Sequence, residues 1–265
     1  MARPTIADLR ARRGKEPLPM LRVETLDEAR AAQAAGVAML SVPPSMMCDP
    51  RFRTAAPDCF AVPGDNFFEI GGPEDFLRWA LPLYKAGADA VYCSGSLASV
   101  RLLAEHAIPV CGHVGLIPSK CTWTGGFRAV GKTLDMAKLV WEQVRALEDA
   151  GAFAAEIEVV PHSIGQLIAE RSSLFLISMG AGPGYDAQYL FADDVLGQNG
   201  GHVPRHAKVY RDFQSEYARL QAERIAAFGE FVADVKDGSY PAQQHAVDSN
   251  EEVVEAFRDW LDQEA

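Results

Sequence analysis

The stretch TLDMAKLVWEQVRALEDAGAFAAEIEVV, residues 133–160, decides the fold. Its first part has the period of a helix. Leu134, Ala137, Val140, Trp141, Val144 and Leu147 recur at steps of three and four, and Asp135, Lys138, Glu142, Arg145 and Glu148 fall mainly on the other side. Ala150-Gly151 ends it, because glycine just past a helix takes the left-handed conformation at little steric cost. The residues that follow, AFAAEIEVV, are mostly apolar, as expected of a strand buried on both faces of a parallel sheet. A period of two sends Glu156 and Glu158 to the same face of that strand.

The same joint recurs at Ala35-Gly36-Val37 and Ala86-Gly87-Ala88, opening the strand-like runs VAMLSV and ADAVYCSG. Further strands are expected at MLRV (20–23), CFAVPG (59–64), IPVCGHVG (108–115), LFLISMGAG (174–182) and YLFAD (189–193). Pro73-Glu74-Asp75 opens another helix, with proline and acids in the first turn. Eight strands alternating with helices predict an α/β fold that closes into a (β/α)8 TIM barrel. The rival, an open doubly wound sheet, normally carries a glycine-rich loop after its first strand, and MLRVETLDEA holds no glycine. One crossover is lean: PPSMMCDPRFRTAAPD, 16 residues with few periodic apolar positions, makes a full helix after the second strand doubtful. The tail is expected to be helical over about 208–236 and 248–263, giving extra C-terminal helices on a single domain spanning 1–265.

Composition narrows the function classes. The chain has 265 residues, 48% of them apolar, and a net charge of −11. That charge argues against non-specific nucleic-acid binding, though a local Arg or Lys can still receive an anionic substrate. No apolar run approaches the ~20 residues that cross a bilayer, and MARPTIADLRARRGKEP lacks the apolar stretch of a secretory signal, so a cytoplasmic protein without membrane partners is expected. Five cysteines without CxxC spacing read as reduced thiols.

Several segments, in order, resemble the ketopantoate hydroxymethyltransferase family. CGHVGLIPSK (111–120) is similar to its GHxGLTPQS, GGFRAVGK (125–132) to GGYxVQGR, and EIEVVP (156–161) to LECVP. GAGPGYDAQYLFADDVLG (180–197) is similar to GAGxxxDGQxLVxHDxLG, and GHVPRHAKVY (201–210) to xxPxFxKxY. With Thr5-Ile6-Ala7-Asp8-Leu9 at the start, the match spans about 1–245, leaving about 246–265 as a helical extension. The resemblance implies a barrel enzyme that transfers a one-carbon unit from 5,10-methylenetetrahydrofolate to 3-methyl-2-oxobutanoate, a small 2-oxo acid, with the help of Mg2+. It also implies a homo-oligomer.

By position, the resemblance makes Glu158 the catalytic base and puts His113 beside the substrate. Ser45, Tyr92, Ser94, Ser178 and Glu156 are counted as substrate-binding. The departures are equally specific. The first metal-ligating Asp, in VGDSLGM, is Pro43 here, and the second, in ADLPF, is Gly64, with Asp65 one step along. The Lys and Glu of VKxEGG become Tyr92 and Ser94, and the apolar residue before the base becomes Glu156. A rebuilt metal site would draw on Asp65 and Glu156, with Glu69 and Glu158.

Other candidates have bland readings. The turn after Ser178 is equally suited to tight packing, Lys120 and Arg128 to a solvated loop, and His202, Arg205, His206 and Lys208 to a structural basic cluster. No neighbouring base supports a nucleophile at Cys93-Ser94. Three functions stay open: aldol-type one-carbon transfer to a 2-oxo acid; a different lyase, hydrolase or isomerase of the phosphoenolpyruvate mutase/isocitrate lyase superfamily; and a non-catalytic binding barrel.

Overall fold

The computed structural model describes residues 3–64 and 69–264. They fall into two compact units that divide between Arg211 and Asp212. The strands lie in the first unit, and both expected tail helices lie in the second.

The first unit alternates strand and helix as the sequence implies. Its strands are β1 (Leu18–Arg22), β2 (Met39–Val42), β3 (Phe60–Pro63), β4 (Val91–Tyr92), β5 (Val110–Gly115), β6 (Ala154–Glu158), β7 (Phe175–Met179) and β8 (Ala187–Phe191). Its helices are α1 (Ile6–Arg12), α2 (Leu26–Ala34), α3 (Pro44–Met47), α4 (Phe52–Ala55), α5 (Pro73–Lys85), α6 (Leu97–Glu105), α7 (Cys121–Thr124), α8 (Leu134–Asp149), α9 (His162–Ala169) and α10 (Ala192–Leu196). The lean crossover holds only the two single turns α3 and α4.

All strand pairs are parallel, in the order β3-β2-β1-β8-β7-β6-β5-β4. The ring closes between β3 and β4 through Ala61, whose carbonyl accepts from the backbone of Asp89 and Ala90 at 3.0 and 3.4 Å. The Asp89 carboxylate seals this seam: it accepts from Ala61 N at 2.8 Å and pairs with Arg53 at 2.8 Å and Arg3 at 3.2 Å. The expected TIM barrel is the observed one.

The joints behave as glycine allows. Gly36, Gly87 and Gly151 take φ of 81°, 98° and 91°, and a Cβ on Gly151 would come within 2.9 Å of Ala104. Helix α8 ends there, burying Val140, Val144 and Leu147.

Side chains alternate along each strand. Met20, Met39, Phe60, Val62, Cys111, Ala154, Phe175 and Tyr189 belong to one buried cluster inside the ring, and Leu9 of α1 joins it. Leu40, Ala61, Val91, Val110, Ala155 and Leu176, one step off, pack with the helices. Any polar residue on the inward face must therefore lie at a strand end, where solvent and ligand can reach it.

The second unit contains α11 (Phe213–Asp237) and α12 (Glu251–Glu264), close to the expected tail helices, and neither holds a buried residue. Among the described residues no helix is long and apolar enough to cross a membrane.

Candidate active site

The inward face carries polar residues only near the C-terminal ends of the strands, where barrel enzymes place their chemistry. Strands β5 and β6 are in register His113↔Glu156 and Gly115↔Glu158. The His113 ring nonetheless reaches one step up: its Nε2 lies 3.0 Å from Glu158 Oε2. Both side chains are nearly enclosed, at 11% and 12% exposure.

The backbone beyond Glu158 is held in an unusual form. Val159 has φ of 47°, a left-handed value that a β-branched residue rarely adopts. Its N–H donates to Met179 O at 2.8 Å, and its carbonyl accepts from Val130 N at 3.1 Å. Strain of this kind costs ~1–3 kcal/mol and persists only where neighbours over-determine it.

Glu156 is buried on the same face. The buried Tyr92 hydroxyl is turned toward its carboxylate. Burial first, and then the Glu156 charge, raise the Tyr92 hydroxyl well above the usual tyrosine range. Tyr189 is raised for the same two causes in the same order, while a bond with Ser41 and the nearby Arg22 charge oppose the shift. Both tyrosines are thus neutral hydroxyls facing a buried acid.

These groups surround a cavity of about 310 Å3, lined by His113, Pro118, Glu156, Glu158, Met179, Tyr189, Leu190, Phe191, Asp194, Pro204 and His206. A second hollow of about 360 Å3 lies on the other side of His113, between Ser94 and Lys120 and the α8 residues Glu142 and Gln143.

The expected site residues are distributed unevenly. His113, Glu156 and Glu158 come together at one cavity, with Tyr92 beside them. Ser94 lines the second hollow. Ser45 is exposed on α3, and Ser178 points away from the ring, its hydroxyl donating to Gly182 O at 3.0 Å. The Gly180–Gly182 turn is packed by rings: a Cβ on either glycine would fall 2.8 Å from a histidine, His206 at Gly180 and His162 at Gly182. Asp65 lies outside the described residues, and Glu69 is exposed.

Sequence reasoning missed Arg22, Ser41, Tyr189 and Asp194, and it took His206 only as part of a basic cluster. For Tyr189 the signal was present, since period two places it beside Ala187 on the inward face. Asp194 reaches the cavity from the short helix α10 and His206 from the segment after it, and neither is marked by the strand period.

Three potential metal-binding groups sit close together: one ligand atom from each of His113, Glu156 and Glu158 lies within 4.8 Å of the other two. Among the described residues the set does not suit magnesium as the resembling family holds it. Pro43 and Gly64 bring no side-chain oxygen, an imidazole is a poor magnesium ligand, and the His113 nitrogen is already spent on Glu158. At Gly64 the space a ligand side chain needs is taken, because a Cβ there would lie 2.8 Å from Arg22 Nη1.

Comparison with known proteins agrees with the motifs. The family model for ketopantoate hydroxymethyltransferase matches residues 66–243. The 3-methyl-2-oxobutanoate hydroxymethyltransferase of Erwinia tasmaniensis is 36% identical over 197 residues, 73% of this chain and 72% of that protein. The corresponding protein of Yersinia enterocolitica is 34% identical over 196 residues, covering 73% and 72%. Among solved structures, 2,3-dimethylmalate lyase, a member of the PEP mutase/isocitrate lyase superfamily, superposes with a TM-score of 0.51 at 13% identity. It covers 96% of this chain and 98% of its own, a likeness of fold alone.

Proposed function

This chain belongs to the ketopantoate hydroxymethyltransferase family, a family of enzymes, and from that premise we propose that it generates the enolate of a small 2-oxo acid and joins it to a one-carbon unit. The observation that carries this reading is the Glu158–His113 pair, 3.0 Å apart and nearly enclosed beside a substrate-sized cavity. Glu158 takes the proton from the carbon next to the carbonyl, and the electron pair moves to the carbonyl oxygen. His113, its Nε2 3.0 Å from Glu158 Oε2, holds the carboxylate in place for the transfer. The Tyr92 hydroxyl, buried beside Glu156, is a neutral donor that can turn to an oxygen of the enolate.

In the full reaction the enolate carbon bonds to the methylene carbon of 5,10-methylenetetrahydrofolate, water supplies the hydroxyl, and tetrahydrofolate leaves. No step here runs through a magnesium ion, which the donor set does not suit.

The reading is tested by incubating the protein with 3-methyl-2-oxobutanoate in heavy water and following the C3 proton by NMR. Protein-dependent loss of that signal is expected; an unchanged signal at high protein concentration sinks the proposal.

A second reading keeps the enolate and changes the partner: cleavage or isomerisation of another 2-oxo or 2-hydroxy acid. Glu156 favours it, because a second buried carboxylate stands where the family has an apolar residue. Under this reading C3 exchange with Glu156→Val is preserved, but no tetrahydrofolate is released from the folate donor by either form of the protein.

A further inference from the structure

The Gly64 cradle, at the end of β3, is filled by a charge. Arg22 is the last residue of β1 and shares its face with Met20, which lies in the buried cluster inside the ring. Its side chain is 21% exposed. Nη1 reaches over β2, lying 3.3 Å from Ser41 Oγ and close enough to Gly64 that a Cβ there would stand 2.8 Å away. An aspartate at that position would meet the guanidinium, which would have to swing aside or pair with it. Nε is held by Glu24 at 2.5 Å, which fixes the plane of the group from its outer side.

The cavity needs such a cation. Glu156 and Glu158 make it negative, and a 2-oxo acid brings a carboxylate that both repel. In the ring β1 lies four strands from β5, so Arg22 stands across the ring from His113, one layer behind the cavity lining. Ser41 links it to Tyr189, which lines the cavity.

We propose that the Arg22 guanidinium receives the carboxylate of the 2-oxo acid, doing without metal what a divalent ion does in the resembling family. This inference rests on the 2-oxo acid reading above. The planar fork of arginine matches a carboxylate through two parallel N–H···O bonds, a match that lysine or an isolated ion does not reproduce.

The test is calorimetric binding of 3-methyl-2-oxobutanoate to the full chain, in EDTA and in excess magnesium. Equal affinity in both conditions is expected, with a ~10–100-fold loss in Arg22→Met, the range for a hydrogen bond to a charged group. Arg22→Lys should recover part of the loss. Binding that appears only with magnesium overturns the inference and leaves the 2-oxo acid reading standing. Binding in neither condition overturns both. Should Arg22→Met not fold, Gly64→Asp puts a carboxylate onto the guanidinium and should show the same loss; undiminished affinity in either variant overturns the assignment.

Discussion

His113 and Glu158 meet diagonally across β5 and β6: the ring nitrogen lies 3.0 Å from the carboxylate, although the register pairs each with a different residue. The diagonal leaves Glu156, directly opposite His113 in register, facing Tyr92. Two carboxylates two residues apart on one strand thus have different environments. Glu158 is bonded to the imidazole, while Glu156, also within reach of it, has the Tyr92 and Tyr189 hydroxyls beside it. Such a separation of environments is how one site assigns different roles to like groups.

Glu158→Gln is expected to slow C3 exchange by ~10²–10⁴-fold, the usual contribution of a positioned general base. His113→Asn should slow it less, because the carboxylate loses its partner and keeps its position. NMR exchange rates across pH 5–9 check both; a Glu158→Gln protein as fast as the parent removes Glu158 from the chemistry.

Val159→Gly should separate strain from stability. Glycine accepts φ of 47° without penalty but gives up the packing of Val159 against the core, so strain relief of ~1–3 kcal/mol is offset by a loss of similar size and the thermal midpoint should change little. Exchange should fall by up to ~10²-fold as the carboxylate loses its fixed aim. Val159→Ala, which loses packing and keeps the left-handed φ, should be the less stable of the two; a glycine variant less stable than the alanine one would show that the valine conformation carries no strain.

Asp89→Ala should open the β3–β4 seam. Arg53, only 20% exposed, loses its carboxylate, and Ala61 N loses its acceptor. Removing one member of such a pair costs ~3–5 kcal/mol. Denaturant unfolding measures this, and a change under ~1 kcal/mol would mean the seam is closed by backbone bonds alone.

Tyrosine ionisation sets a limit at alkaline pH. Burial pushes Tyr185 up to about 12 and raises Tyr92 and Tyr189 as well. Above pH ~10 the unfolded chain loses these protons while the folded chain keeps them, so the unfolded state binds fewer and stability falls as pH rises. Their contribution is complete below that pH and disappears as each folded value is passed. Absorbance of phenolate at 295 nm should therefore show a late group among the seven tyrosines. Tyr185→Phe should flatten part of the fall in thermal midpoint above pH 10; if all seven titrate together near 10, the burial argument is wrong.

The barrel was legible because its signals are local. Glycine after each helix, apolar runs between, and the three- and four-residue step of residues 134–147 each act within a few residues along the chain. The crossover at 43–58 was also readable, since two adjacent prolines and few periodic apolar positions left room only for the turns α3 and α4. The site was partly legible. Period two correctly paired the facing of Glu156 and Glu158, and the same rule turns Ser178 outward beside the inward Ile177, against the motif reading.

Sequence by itself determined the strands, their order, the helical joints and the inward set on β6, because backbone sterics and alternation are properties of short segments. Tertiary structure alone decided that His113 reaches Glu158, that Asp194 and His206 close the cavity, and that Arg22 crosses β2 to lie against Gly64. Those contacts join residues far apart in the chain, and ring closure and side-chain reach, which no local period encodes, bring them together.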